Sequence, residues 1–168
     1  MNSTVTIRRM NIEDLDAIQS LYALQTESDD NPLTSLRISA RQHAWEMRRL
    51  RQQLLTEQKY LAFVATLENE QTHEESMIGY IAAILEQQAH LFKIDTVASI
   101  GELWVVEEYR GRGIGEALFE ELTRAIHFNG IEWITVHMPA SAHEALAFFE
   151  KLGFEQKNLE LQAHLGRN

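Results

Sequence analysis

Residues 101–115 read GELWVVEEYRGRGIG: an apolar, strand-like run that breaks into arginines alternating with glycines and then passes into a helical pattern. Gly111, Gly113 and Gly115 alternate with larger residues, and glycine lets a backbone come close to a ligand. The first turn of the helix that follows presents N–H groups with no intrahelical partner, at the positive end of the helix dipole. An anion fits such a turn. Arg110 and Arg112 would add charge-assisted contacts, so a phosphate or pyrophosphate is the natural guest. The same pattern also suits a plain tight turn into a helix, and residue physics alone does not separate the two. Spacing excludes two common phosphate motifs: a dinucleotide fingerprint needs a glycine where Glu116 stands, and a P-loop needs Gly-Lys-Ser/Thr, which is absent.

Working outward, Tyr60 to Leu67 (YLAFVATL) and Met77 to Leu85 (MIGYIAAIL) are strand-like runs across a polar stretch, which predicts an antiparallel hairpin. The pattern of residues 86–98 is ambiguous. Thr4 to Arg9 alternates as a short strand, and Ile12, Leu15, Ile18, Leu21 and Tyr22 recur at helical spacing behind an Asn11 cap. Residues 26–35 carry Glu27, Asp29, Asp30 and Pro32 and read as a loop. Ala44, Met47, Leu50 and Leu54 trace a second helix over residues 38–57, whose opposite face of arginines is ordinarily solvated. Downstream, Ile114, Leu118, Leu122, Ala125 and Ile126 mark one helix face, which Asn129-Gly130 ends. Ile131 to His137 is another strand, Ser141 to Leu152 a striped helix stopped by Gly153, and Leu159 to Leu165 a final alternating strand. The order β-α-α-β-β-β-α-β-α-β predicts an α/β (α+β) fold, with one mixed, mostly antiparallel sheet covered on both faces by about four helices. A single domain over residues 1–168 is expected.

Charge and composition narrow the partners. Acids outnumber bases 25 to 15, a net charge of −10, which argues against nucleic acid and favours cationic partners. With no cysteine there is no disulfide, thiolate metal site or cysteine nucleophile. The histidines show no ligand spacing, so no metal is expected. No apolar run approaches the roughly 20 residues of a membrane span, and the first residues lack an apolar export core, so the expected compartment is cytoplasmic, without membrane partners.

The segment Arg110-x-x-Gly113-x-Gly115 resembles motif A of the GNAT (Gcn5-related) N-acetyltransferases, written Gln/Arg-x-x-Gly-x-Gly/Ala. LWVVEEYRGRGIG looks like that family's fourth strand and loop, Ala145 to Phe154 (ALAFFEKLGF) like its A-x-x-F-Y-x-K-x-G-F helix, and TIRRMNIEDLDAIQSLY like its first strand and helix. The likeness spans nearly the whole chain. It implies acetyl-CoA held where the fourth and fifth strands splay apart, with backbone groups of Leu103, Trp104, Val105 and Val106 on the pantetheine arm. Arg110 and the amides of Gly111, Arg112, Gly113, Ile114, Gly115 and Glu116 would hold the pyrophosphate. Ala142 and Phe149 fall at further cofactor-side positions. Acceptor specificity would come from the two N-terminal helices and their loop, where Glu27, Asp29 and Asp30 are candidates to attract a cationic amine. Some relatives pair edge strands into homodimers, a role open to the C-terminal strand here.

The resemblance implies transfer of an acetyl group to a primary amine, of a small cationic molecule or a protein, by direct attack. An alkyl ammonium of pKa near 10.4 needs roughly 4.6 kcal/mol to free its lone pair at pH 7, against about 1.4 kcal/mol for an α-amino group, so a base helps. Glu102, on the motif-A strand, is the first catalytic candidate and His137, at the end of the next strand, the second. Each also has a plain structural reading, as an exposed strand carboxylate and a hydrogen-bonded histidine. The chain departs from the family pattern at three places: Phe149 stands where a tyrosine usually protonates the leaving thiolate, Ala142 where an asparagine is frequent, and Glu107 where a proline follows the strand. Phe cannot donate a proton, so solvent or Tyr109 would have to. The alternative function is therefore a catalytically weak or inactive acyl-CoA-binding regulatory module.

Overall fold

The computed structural model describes residues 4–18, 20, 52, 59–68, 75–87 and 96–157. The chain divides into two units, Met1–Val136 and His137–Asn168. The first is built on a five-stranded sheet in the order β1 (Thr4–Arg9), β2 (Tyr60–Glu68), β3 (Glu75–Gln87), β4 (Thr96–Val105) and β5 (Ile134–Val136). The expected hairpin is β2–β3, antiparallel with Tyr60 opposite Ile84 and Phe63 opposite Ile81. β1–β2 and β3–β4 are also antiparallel, whereas β4–β5 is parallel, because helix α1 (Ile114–Phe128) carries the chain back before β5.

Both faces of the sheet are covered, which explains why β2 is a near-continuous apolar run. On one face Tyr60, Ala62, Val64, Tyr80 and Ala82 pack with Met10, Leu15 and Ile18, the last two on the helical segment of residues 14–18. That segment starts as expected at Asn11. The Asn11 side-chain oxygen accepts from the backbone N–H of Glu13 (2.8 Å) and Asp14 (3.2 Å), and Asp14 Oδ2 accepts the Asn11 N–H in return at 2.8 Å. Asp14 also receives both guanidinium arms of Arg8 at 2.8 Å, which ties β1 to this helix start. The carboxylate raises the Arg8 pKa above its ordinary value, chiefly through the hydrogen bond.

α1 covers the other face. Leu118, Leu122 and Ile126, four residues apart, are all 0% exposed, and each such side chain contributes about 1.5–3 kcal/mol by leaving water. Gly79 on β3 permits the close fit, since a Cβ there would lie 2.9 Å from the Trp104 carbonyl oxygen and 3.4 Å from Leu118 Cδ1. Gly130, at φ 72°, ends α1 with its N–H on the His127 carbonyl, and Ile131 N–H returns to Ile126.

In the second unit, α2 (His143–Lys151) ends in the same way. Gly153, at φ 91°, bonds Glu150, Phe154 N–H bonds the Phe149 carbonyl, and the Phe149 and Phe154 rings meet edge-on at 5.1 Å.

The structure corrects several boundaries. β4 begins at Thr96, within the stretch whose pattern is ambiguous, and not at Gly101. β5 has three residues where a seven-residue strand was expected, and α2 starts at His143 and not Ser141. β5 pairs with β4 only over residues 98–100 and parts from it there, although β4 itself runs on to Val105. The acidic loop at 26–35 and the C-terminal strand lie outside the described residues; of the predicted 38–57 helix only Gln52 is described, and it is helical.

Candidate active site

Gly101 breaks the β3–β4 register. Ala82 pairs with Glu102 but Ala83 pairs with Ile100, which leaves Gly101 as an extra residue in β4. The bulge has two consequences. First, it changes which face each later side chain takes: Ile100 shares Ala83's face, whereas Glu102 and Trp104 share the face of Ala82 and Tyr80. Second, β5 accompanies β4 only as far as Ile100, so residues 102–105 have β3 on one side and, among the described residues, no strand on the other.

The ladder then sets which backbone groups point to the open side. Val106 N–H donates to the Ile78 carbonyl at 2.8 Å, so Val106 and, two residues back, Trp104 direct their groups at β3. Leu103 and Val105 therefore direct theirs away from β3, toward the gap. Of the four residues 103–106 expected to line an extended ligand with their backbone, these two turn their backbone groups away from β3, and the Val105 carbonyl accepts there from Arg110 Nε at 3.0 Å.

After β4 a single 3-10 turn, Glu107–Tyr109, leads to Arg110, whose Nε donates to the Val105 carbonyl at 3.0 Å and folds the turn back onto the strand end. Arg112 lies over the Tyr109 ring, 5.4 Å from its centroid. Gly111 and Gly113 take φ of 71° and 79°, a region in which side chains with a Cβ are strained. Gly113 caps α1 without any side-chain bond, and the first intrahelical bond runs from Ala117 N–H to the Gly113 carbonyl at 2.9 Å. The N–H groups of Ile114 and Gly115 precede that bond and find no acceptor among the described residues. An anion set against these amides would meet the helix dipole and Arg112 as well.

Glu102 is half-buried on β4, opposite Ala82. His137, exposed, and Ala142, the N-cap of α2, belong to the second unit. Phe149 is 5% exposed and packs edge-on against Phe148 at 5.2 Å and Phe154 at 5.1 Å. Glu27, Asp29 and Asp30 fall outside the described residues. Among the described residues no group of three or more His, Asp or Glu side chains is placed to hold a metal ion, and no helix is long and apolar enough to cross a membrane. Sequence reading missed the role of Gly101, although a lone glycine inside a strand pattern is a recognised sign of a bulge.

A bulged strand that parts from its parallel neighbour, followed by a glycine turn with bare amides, defines an α/β protein that can hold an extended, anion-tipped ligand along a strand edge. The chain belongs to the acetyltransferase (GNAT) domain family, whose model matches residues 58–156. It is 29% identical over 82 residues to an uncharacterised N-acetyltransferase of Methanocaldococcus jannaschii, a match that takes in 49% of this chain and 36% of that protein. The chain thus spans about a third of the length of that curated relative. Among solved structures, a Bacillus halodurans protein determined as a tetramutant superposes with a TM-score of 0.75 at 19% identity, covering 95% of this chain and 99% of that one. The aminoglycoside N-acetyltransferase AAC(6')-Iy, solved with CoA, gives 0.73 at 15% identity, covering 98% and 96%. An aminoglycoside 6'-N-acetyltransferase of Acinetobacter baumannii gives 0.67 at 17% identity, covering 97% and 100%. At these identities the likeness is one of fold.

Proposed function

We propose that the chain is an acetyl-CoA-dependent N-acetyltransferase acting on a primary amine of a small cationic molecule or a protein amino group. The observation that carries this reading is the pairing of an open β4 edge at Leu103 and Val105 with uncapped amides at the start of α1. A diphosphate matches the amides, and an arm of successive amide groups matches the edge, so the residues present fit the coenzyme. Support for an amine acceptor comes from the net charge of −10 and from the aminoglycoside N-acetyltransferases among the structural neighbours.

When bound, acetyl-CoA supplies an acyl carbon activated by its thioester. The balance is R–NH3+ plus acetyl-CoA giving R–NH–CO–CH3, CoA–SH and one proton. Within the chain, Leu103 and Val105 align the ligand arm, and Gly111 to Glu116 hold its diphosphate. Glu102 takes the proton of the incoming ammonium and passes it to solvent, with His137 as the second candidate for that task. Glu27, Asp29 and Asp30 attract the cation. Phe149 cannot return a proton to the departing sulfur; since a thiol's pKa is about 8.5, the thiolate leaves with help from solvent alone. Tyr109, beneath Arg112, serves to shape the loop.

Titration with CoA while observing backbone amides by NMR, followed by thiol detection with acetyl-CoA and a panel of amines, tests the reading. Shifts confined to residues 103–116, together with amine-dependent CoA release, are expected; unmoved amides in that stretch would sink it. The packing of Phe149 between two other rings, in place of a phenol, favours a second reading, an acyl-CoA-binding module with little or no turnover. Calorimetric CoA binding without thiol release from any amine would select it.

A further inference from the structure

The two side chains that the Gly101 bulge turns to one face of β4 stand in an unusual state. Glu102 and Trp104 are both half-buried. Neither the carboxylate nor the indole makes a hydrogen bond, ion pair or ring contact among the described residues. Trp104 packs, partly buried, against the core cluster to which Tyr60, Val64 and Tyr80 belong. A carboxylate with no other partner among the described residues can take up a cation by a charge-assisted hydrogen bond. A rigid aromatic face nearby offers a second place for positive charge. Residues two apart on one face of a strand are separated by about 7 Å.

We infer that Glu102 and Trp104 together select the acceptor, and that it carries two positive charges about 7 Å apart, as in a linear diamine of roughly four or five carbons. This rests on the proposed N-acetyltransferase activity and narrows its substrate class. The nitrogen beside Glu102 gives up its proton there and is acetylated. The other nitrogen keeps its proton and lies against the Trp104 ring. Trp104 is thus a specificity-determining residue, whereas Glu102 serves both binding and proton transfer. A monoamine of equal length would satisfy only one of the two positions.

The test compares 1,4-diaminobutane with n-butylamine as acceptors, and the wild type with Trp104→Leu and Trp104→Phe. In the wild type kcat/KM should favour the diamine. In Trp104→Leu the preference should fall roughly 5- to 30-fold, mainly through KM, and Trp104→Phe should retain part of it. Circular dichroism and CoA affinity would show that each variant is folded. Calorimetric titration of 1,4-diaminobutane into the CoA-bound protein reads the same pair without turnover, and its affinity should drop by a similar factor in Trp104→Leu. Equal use of the two amines by an active wild type, or a preference unchanged in a folded Trp104→Leu, would overturn the inference while leaving the acetyltransferase reading intact. Failure of the wild type to acetylate any amine would remove the reading instead, and diamine affinity would still report on the pair.

Discussion

Gly113 shows how a single residue serves both fold and ligand. Its φ of 79° places it in the left-handed region, yet a Cβ added there would meet nothing within 4 Å. Any penalty of substitution thus comes from backbone strain and from the ligand, and not from an internal clash. Gly113→Val should lower stability by about 1–2 kcal/mol and weaken CoA binding by roughly tenfold or more, as thermal unfolding and calorimetry would show. If CoA affinity were unchanged in the folded variant, the amides of this turn would not be the anion site. Glu102 gives a second test at this scale. With Glu102→Gln the acetylation rate should drop more at low pH than at high pH, because less of the amine is already neutral at low pH, while CoA affinity stays level. A pH–rate profile parallel to that of the wild type would take Glu102 out of the mechanism.

At the scale of elements, the site depends on how β4 is held between β3 and α1. Gly79 lets the Trp104 carbonyl and Leu118 approach together, and the nearest atom to an added methyl, at 2.9 Å, belongs to backbone that cannot rotate aside. Gly79→Ala should destabilise the fold by about 1–3 kcal/mol in chemical denaturation, and should also impair CoA binding, since β4 must shift to make room. Were β4 set only by the α1 turn, CoA affinity would not change. The ends of α1 and α2 needed no such tertiary knowledge. Asn129-Gly130 and Leu152-Gly153 announced their stops in the sequence, because a left-handed glycine bonded back to the last turn is a local arrangement. The length of β5 was not legible, since the point at which two strands part is a relation between segments that neither strand's own pattern encodes.

Across the molecule, the first unit is tied at its start by the Arg8–Asp14 pair and the reciprocal Asn11–Asp14 bonds. Asp14 is 6% exposed, so losing its charge leaves Arg8 without its main partner in a largely covered place. Asp14→Asn should reduce unfolding stability by about 2 kcal/mol, measured by denaturant titration, with CoA affinity little altered in the folded protein. A neutral result would mean that the cap alone, which asparagine can partly keep, holds this helix start.

The sequence by itself determined the short-range features: strand β1 and the β2–β3 hairpin, the α1 stripe of Ile114, Leu118, Leu122 and Ile126, both helix stops, the Asn11 cap and the glycine turn. Each of these depends on a residue's own φ, on a period of two or 3.6, or on bonds within one turn. Only the tertiary structure decided that β5 leaves β4 after Ile100, that Leu103 and Val105 but not Trp104 and Val106 face the gap, and that Glu102 shares a face with Trp104 and not with Ile100. Along the sequence, residues 100, 102 and 104 alternate as if on one face. The bulge that separates them exists only in the pairing of β4 with β3, a relation between segments that local periodicity does not encode.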